Sequence, residues 1–184
     1  MKKGFLLILT VIIFSLTSNV QSQEINWMTM NEALNAQAIN PKKIMMDAYT
    51  NWCGPCKMLD KNTFQNPDVV KYVNNNYYAV KFNAEGNEGV NYKGQDFINP
   101  NYDASKAKSR NAQHQLSQAL QITAYPTIVF FDENGDTLVP LPGYKTPQQL
   151  ELYLKLFLDN DHKNISTQEQ WDAYQKDFEF EFKG

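Results

Sequence analysis

The chain has 184 residues, 42% of them hydrophobic and 20% charged, with a formal net charge of −3 at pH 7. That length sustains one domain with a real core, and the acidic balance argues against nucleic acid as a partner, because phosphate binding needs a basic surface. The composition is that of a soluble globular protein, and no apolar run beyond the N-terminus is long enough to span a bilayer.

At the N-terminus, Lys2-Lys3 precede an apolar stretch from Phe5 to Leu16 and then Thr17-Ser18-Asn19-Val20-Gln21-Ser22. A basic start, an apolar centre of secretory length and small residues before a cut read as a signal peptide over residues 1–22, cleaved after Ser22. The apolar run is short for a retained anchor, and the leader holds no cysteine to lipidate. The expected location is therefore secreted, and periplasmic in a bacterium. In such an oxidising compartment a pair of thiols is oxidised unless something keeps reducing it.

Ile25-Asn26-Trp27 reads as a short edge strand. Thr29 and Glu32 have capping-box spacing ahead of a helix over about 30–39, with Ala33, Leu34 and Ala38 as its apolar face. The run Ile44 to Tyr49 is a central strand. Pro55 is tolerated in the first turn of the helix that follows, and Asn66-Pro67 caps a further helix from Asp68 to about Asn75. Tyr77 to Phe82 is the next strand. Residues 85–111 form a turn-rich insertion with short strands about Lys93-Gly94. Asp103 or Ser105 starts a helix expected to run to about Leu120, with Leu116, Ala119 and Leu120 inward. His114 on that helix is read as solvent-facing or hydrogen-bonded, not as a catalytic base. Thr127 to Phe131 is a buried strand, turned at Asp132-Glu133-Asn134-Gly135 into an antiparallel strand over Thr137 to Val139. Thr146-Pro147-Gln148-Gln149 opens a helix with Leu150, Tyr153, Leu154, Phe157 and Leu158 at core spacing. The remainder, 161–184, reads as a C-terminal extension. Ser166 to Glu169 has capping-box spacing, Trp171, Tyr174 and Phe178 fall on one helical stripe, and Phe178 to Phe182 alternates like an edge strand. Together these predict an α/β fold, a central mixed sheet with helices on both faces.

The chemistry is concentrated in Trp52-Cys53-Gly54-Pro55-Cys56-Lys57, which holds the only two cysteines. A strand that delivers Cys-x-x-Cys to a helix start is a redox arrangement. The first thiol meets unpaired N–H groups and the positive end of the helix dipole, which favour thiolate. The second, one turn on, is close enough to form a disulfide. A purely structural bridge over so short a loop would remove little chain entropy. A closed zinc site wants about four ligands, and only His114 and His162 could join the cysteines, so no metal is expected.

This motif resembles the active-site signature of the thioredoxin family, and other residues match in the right order. Asp47, six residues before Cys53, corresponds to the family's buried acid, and Lys81 to its lysine partner. Tyr125-Pro126-Thr127 resembles the cis-proline loop, and Gly135 and Gly143 match the turn and late-strand glycines. The resemblance implies a thioredoxin fold over residues 23–160, with the 85–111 insertion, and a disulfide reductase that needs no cofactor beyond the redox-active Cys53–Cys56 pair. It assigns catalysis to Cys53, Cys56, Asp47 and Lys81, and substrate contact to Trp52, Gly54, Pro55, Tyr125 and Pro126. Cys53 is expected to be the exposed attacking thiol and Cys56 the buried resolving one. The break at Lys61 to Val70 is similar to the thioredoxin-like periplasmic domain of the bacterial transmembrane disulfide-reducing electron transporter. By that resemblance the partners are disulfide-containing proteins and a membrane electron transporter as reductant, with the chain a monomer. Three alternatives stay open: an electron relay serving one partner, a binding module with incidental cysteines, and a disulfide isomerase.

Overall fold

The computed structural model describes residues 24–184; the signal-peptide reading, 1–22, lies outside the described residues. The elements are β1 (Trp27–Met28), α1 (Met30–Ile39), β2 (Ile44–Tyr49), α2 (Gly54–Asn62), α3 (Pro67–Asn76), β3 (Tyr78–Asn83), β4 (Val90–Tyr92), β5 (Gln95–Phe97), α4 (Gln115–Ala119), β6 (Thr127–Phe131), β7 (Thr137–Pro142), α5 (Pro147–Leu158) and α6 (Gln168–Asp177). Five strands form one mixed sheet in the order β1-β3-β2-β6-β7. β1, β3 and β2 are parallel, and β6 and β7 run antiparallel. This is the α/β architecture expected from the residue pattern.

The period-2 alternation of strands sorts side chains onto two faces. Met45, Ala79, Ile128 and Phe130 meet α2, α3 and α5 through Leu59, Val69, Val73, Leu150 and Leu154. Ile44, Met46, Val80, Phe82 and Phe131 meet α1, α4 and the β4–β5 hairpin through Met30, Ala33, Leu116, Val90 and Phe97. Lys93 (φ 53°) and Gly94 (φ 74°) turn the hairpin, both in the left-handed region that two-residue hairpin turns use.

Five expectations need correction. The helix over 103–120 is absent: a short 3-10 turn, Ala104–Lys106, is followed by irregular chain up to α4. Side chains take over the backbone groups there. Asn111 accepts from Asp103 N–H at 2.9 Å and donates to Asp103 O at 2.7 Å, and Glu85 accepts Asn111 N–H at 2.8 Å. On α4, Ala119 is exposed and Ser117 is buried instead, its hydroxyl donating to Ala84 O at 3.0 Å. On α1, Ala38 is exposed and Gln37 is buried, because its amide donates to Lys42 O and Asp132 O. Finally, residues 178–182 form no strand. The carboxylate of Glu151, fully buried on α5, accepts the N–H groups of Glu181 and Phe182 at 2.9 Å, so the backbone has no need of a neighbouring strand. The capping box of α6 is Thr167 with Gln170, one residue beyond the expected pair.

Candidate active site

β2 is the middle strand of the sheet, so its C-terminal end emerges between β3 and β6. The chain turns there, with Cys53 N–H donating to Thr50 O at 3.2 Å, and Cys53 becomes the N-cap of α2. Its Sγ accepts the N–H of Cys56 at 3.1 Å, and Pro55 occupies the first turn without losing an intrahelical bond. Cys53 and Cys56 form a disulfide, with Cα atoms 5.3 Å apart. The expected contrast in exposure is not seen in this oxidised form: Cys53 is 3% exposed and Cys56 2%. In this form Cys53 Sγ lies on the first turn of the helix, bonded to the Cys56 sulfur and accepting its N–H. Gly54 and Pro55, between the two cysteines, are exposed instead.

Asp47 is fully buried on β2, and parallel pairing puts Lys81 of β3 directly beside it. Lys81 Nζ reaches Asp47 Oδ2 at 2.6 Å. The other oxygen, Oδ1, is buried without a hydrogen-bond partner. Burial pushes the Asp47 carboxyl up to about 6, against the attraction of Lys81. Asp60 on α2 also pairs with Lys81. Burial lowers the pKa of Lys81, but the two carboxylates outweigh it and leave the lysine raised. The ammonium is further enclosed by Trp27, Tyr49 and Phe64, at 4.9, 5.1 and 5.3 Å from the ring centroids, contacts that favour a cation. A cavity of about 260 Å³ lined by Trp27, Asp60, Phe64 and Gln65 opens onto Lys81. Asp60 escaped the sequence reading, although one helical turn from Cys56 is the spacing that puts two side chains on one face.

The opposite wall of the site follows from strand direction. Ala48 of β2 pairs with Thr127 of antiparallel β6, so the residues before Thr127 lie beside the turn that carries Cys53. The Tyr125-Pro126 bond is cis, and Gly143 has φ 85°, a conformation open to glycine. Gly143 N–H donates to Pro126 O at 2.7 Å and so ties the loop to the end of β7. The Tyr125 ring meets Trp52 edge-on at 6.0 Å, and burial raises its hydroxyl to about 12.

The insertion closes the third side. Trp52 Nε1 donates to Glu85 Oε2 at 2.7 Å, and the Arg110 guanidinium lies over the Trp52 ring at 4.7 Å. Asn51 Nδ2 donates to Ala107 O at 2.7 Å. His114, fully buried, caps α4 rather than lying within it. Its Nδ1 accepts Leu116 N–H at 3.0 Å, and Nε2 lies 2.8 Å from Glu88 O. That is the hydrogen-bonded histidine expected, away from the cysteines in role. The structure therefore brings Trp52, Cys53, Cys56, Tyr125 and Pro126 to one end of the sheet, with the Asp47–Lys81 pair on the strands that lead there. Such a site can exchange one disulfide for another.

A family model described as a thioredoxin-like domain matches residues 30–158. Among curated proteins, the chain is similar to the thiol:disulfide interchange protein DsbD of Pectobacterium atrosepticum, 27% identical over 125 residues, which cover 67% of this chain and 18% of that protein. DsbD of Haemophilus ducreyi is 30% identical over 119 residues, 64% of this chain and 17% of its own length. The chain thus spans less than a fifth of these relatives. Among solved structures, a DsbH oxidoreductase superposes with a TM-score of 0.54 at 16% identity, covering 82% of this chain and 95% of that one. A thioredoxin-fold protein from Helicobacter pylori gives 0.57 at 19% identity, over 74% and 82%. Those two likenesses concern the fold. With the model matched from Met30 to Leu158 and the Cys53–Cys56 disulfide at its helix start, the chain belongs to the family of thioredoxin-like domains.

Proposed function

We propose that the chain is an exported, periplasmic thiol–disulfide oxidoreductase that relays two electrons from a dithiol donor to the disulfides of partner proteins. One observation carries this reading: Cys53 Sγ sits at the N-cap of α2, accepting the Cys56 N–H while bonded to the Cys56 sulfur. Reduced, Cys53 is placed to be held as thiolate by that N–H and the helix dipole. It attacks one sulfur of a partner disulfide; the partner's S–S bond breaks, and the other sulfur leaves as a thiolate that takes up a proton. Cys56, deprotonated, then attacks Cys53, releasing the second partner thiol and restoring the disulfide. Asp47 is the group suited to exchange the Cys56 proton. It is a buried carboxyl with a pKa of about 6 and an oxygen free of other bonds. Lys81, with Asp60 behind it, tunes that carboxyl. Trp52, Gly54, Pro55 and Tyr125 form the surface on which a partner lies, with the Tyr125 backbone offered to an extended segment and Pro126, itself buried, fixing the loop that carries it.

Returning the Cys53–Cys56 disulfide to the dithiol takes two electrons and two protons from a donor dithiol, which is itself oxidised to a disulfide, and for an exported protein a membrane electron transporter is the class that supplies them. The resemblance to DsbD and the insertion packed on Trp52 favour a relay with few partners. A general disulfide reductase is the second reading, favoured by Gly54-Pro55 between the cysteines. Trapping decides: in Cys56→Ala the mixed disulfide on Cys53 persists. A dominant adduct, lost when the donor or acceptor gene is removed, supports the relay; a broad set of adducts supports the general reductase. Labelling of Cys56 before Cys53 by alkylation of the reduced protein would reverse the roles of the two thiols.

A further inference from the structure

Residues 104–112 read Ala-Ser-Lys-Ala-Lys-Ser-Arg-Asn-Ala, three basic residues and no acidic one, in a chain of acidic balance. Arg110 is the only arginine in the sequence, and the exchange chemistry uses none of these side chains. Yet the segment is fastened beside the cysteines at three points. Asn51 donates to Ala107 O at 2.7 Å. Glu85 accepts Trp52 Nε1 at 2.7 Å and Asn111 N–H at 2.8 Å with the same oxygen. Arg110 lies over the Trp52 ring at 4.7 Å, a stacking that guanidinium performs better than ammonium.

Lys106, Lys108 and Arg110 are exposed, as is Lys57 in the first turn of α2. The nearby acids are already engaged. Glu85 is held between the indole and the loop, and Asp103 accepts from Ser105 and lies 3.5 Å from Lys106. Among the described residues Lys57, Lys108 and Arg110 have no ion-pair partner. A partner segment lying along Tyr125 to reach Cys53 passes the Trp52–Arg110 face, because Tyr125 and Trp52 are in contact.

We propose that this loop selects partners for the redox site, and that it takes disulfides flanked by acidic residues. The inference rests on the exchange reading above. Exposed charges act mainly on encounter and discrimination, each pair is weak, and salt screens them. The preference should therefore be modest, cumulative and salt-sensitive.

The experiment uses the reduced protein and two disulfide-linked peptides identical except for Asp/Glu or Lys flanking the cysteines, with hydroxyethyl disulfide as an uncharged control. At low salt the acidic peptide should react about tenfold faster than the basic one, and high salt should bring the ratio towards one. The double variant Lys108→Glu, Arg110→Glu should invert the ratio. Lys108→Glu alone, which leaves the stacking on Trp52 in place, should shift the ratio in the same direction by a smaller factor. Equal rates for both peptides at low salt, with hydroxyethyl disulfide reduced normally, would overturn the selecting role and leave the exchange reading intact. Failure to reduce hydroxyethyl disulfide would remove both.

Discussion

Asp47 is held where its charge is costly: fully buried, bonded through one oxygen, orphaned at the other. Its pKa is raised from 3.8 to about 6, so its contribution to stability is full below 3.8 and is lost as pH rises through about 6. At about 1.4 kcal/mol per tenfold, ionisation at pH 7 costs up to about 3 kcal/mol. Asp47→Asn should therefore raise stability at neutral pH by as much as that, and by little near pH 3.8, as urea unfolding at the two pH values would show. The same variant should slow resolution of the mixed disulfide more than its formation; equal slowing of both steps would leave Asp47 a structural residue. Gly54 gives a cleaner separation of fold from function. A Cβ there would meet nothing within 4 Å, so packing does not demand glycine. Gly54→Ala at a helix start should gain up to about 1 kcal/mol yet slow exchange with a protein disulfide, because the methyl stands on the exposed face proposed above to receive a partner. Thermal unfolding and insulin reduction, with hydroxyethyl disulfide as control, check both halves.

The elements that position the site are those whose signals are local. Thr29 and Glu32 form the capping box read from their spacing, and β2 and β6 have the bounds their apolar runs imply. Loop 103–114 was not legible, because its bonds join residues far apart in sequence: Glu85 to Asn111, Asn51 to Ala107. Nothing in the local pattern announces that a side chain from another element will satisfy the backbone. The same holds for 178–182: strand alternation puts Phe178, Phe180 and Phe182 on one face, yet Phe182 is buried and Phe180 exposed, and Glu151 supplies the acceptor a strand would have supplied. Two predictions belong here. Burial lowers the pKa of His114, so its neutral form stabilises the fold above its ordinary value of about 6.5, and that stability is lost as pH falls below it. In His114→Asn, which retains a capping side chain, the loss of stability between neutral and mildly acidic pH should be smaller than in the parent. Removing residues 165–184 uncovers the face against which Phe182, Trp171 and Tyr174 pack and strips Glu151 of backbone donors; it should cost about 3 kcal/mol or more in urea unfolding. A truncated chain that melts unchanged but loses a binding partner would make the extension a binding element instead.

At the scale of the molecule, one topological fact does most of the positioning. With β2 central, its parallel neighbour β3 carries Lys81 to Asp47, and its antiparallel neighbour β6 brings Tyr125-Pro126 to the turn that holds Cys53. The two cysteines could be read as a redox pair from spacing alone. The basic loop and Asp60 became visible only when the fold brought them near. On the proposed function the Cys53–Cys56 pair donates electrons to partner disulfides and does not draw them from partner thiols. Equilibration of the Cys53–Cys56 pair with glutathione buffers measures this direction directly through the reduction potential. The expected potential lies below that of the cytosolic glutathione pool, which is about −220 to −260 mV by extraction. A potential well above it, approaching the value of about −120 mV of a strong disulfide oxidant, would reverse the direction of electron flow and make the protein an oxidase.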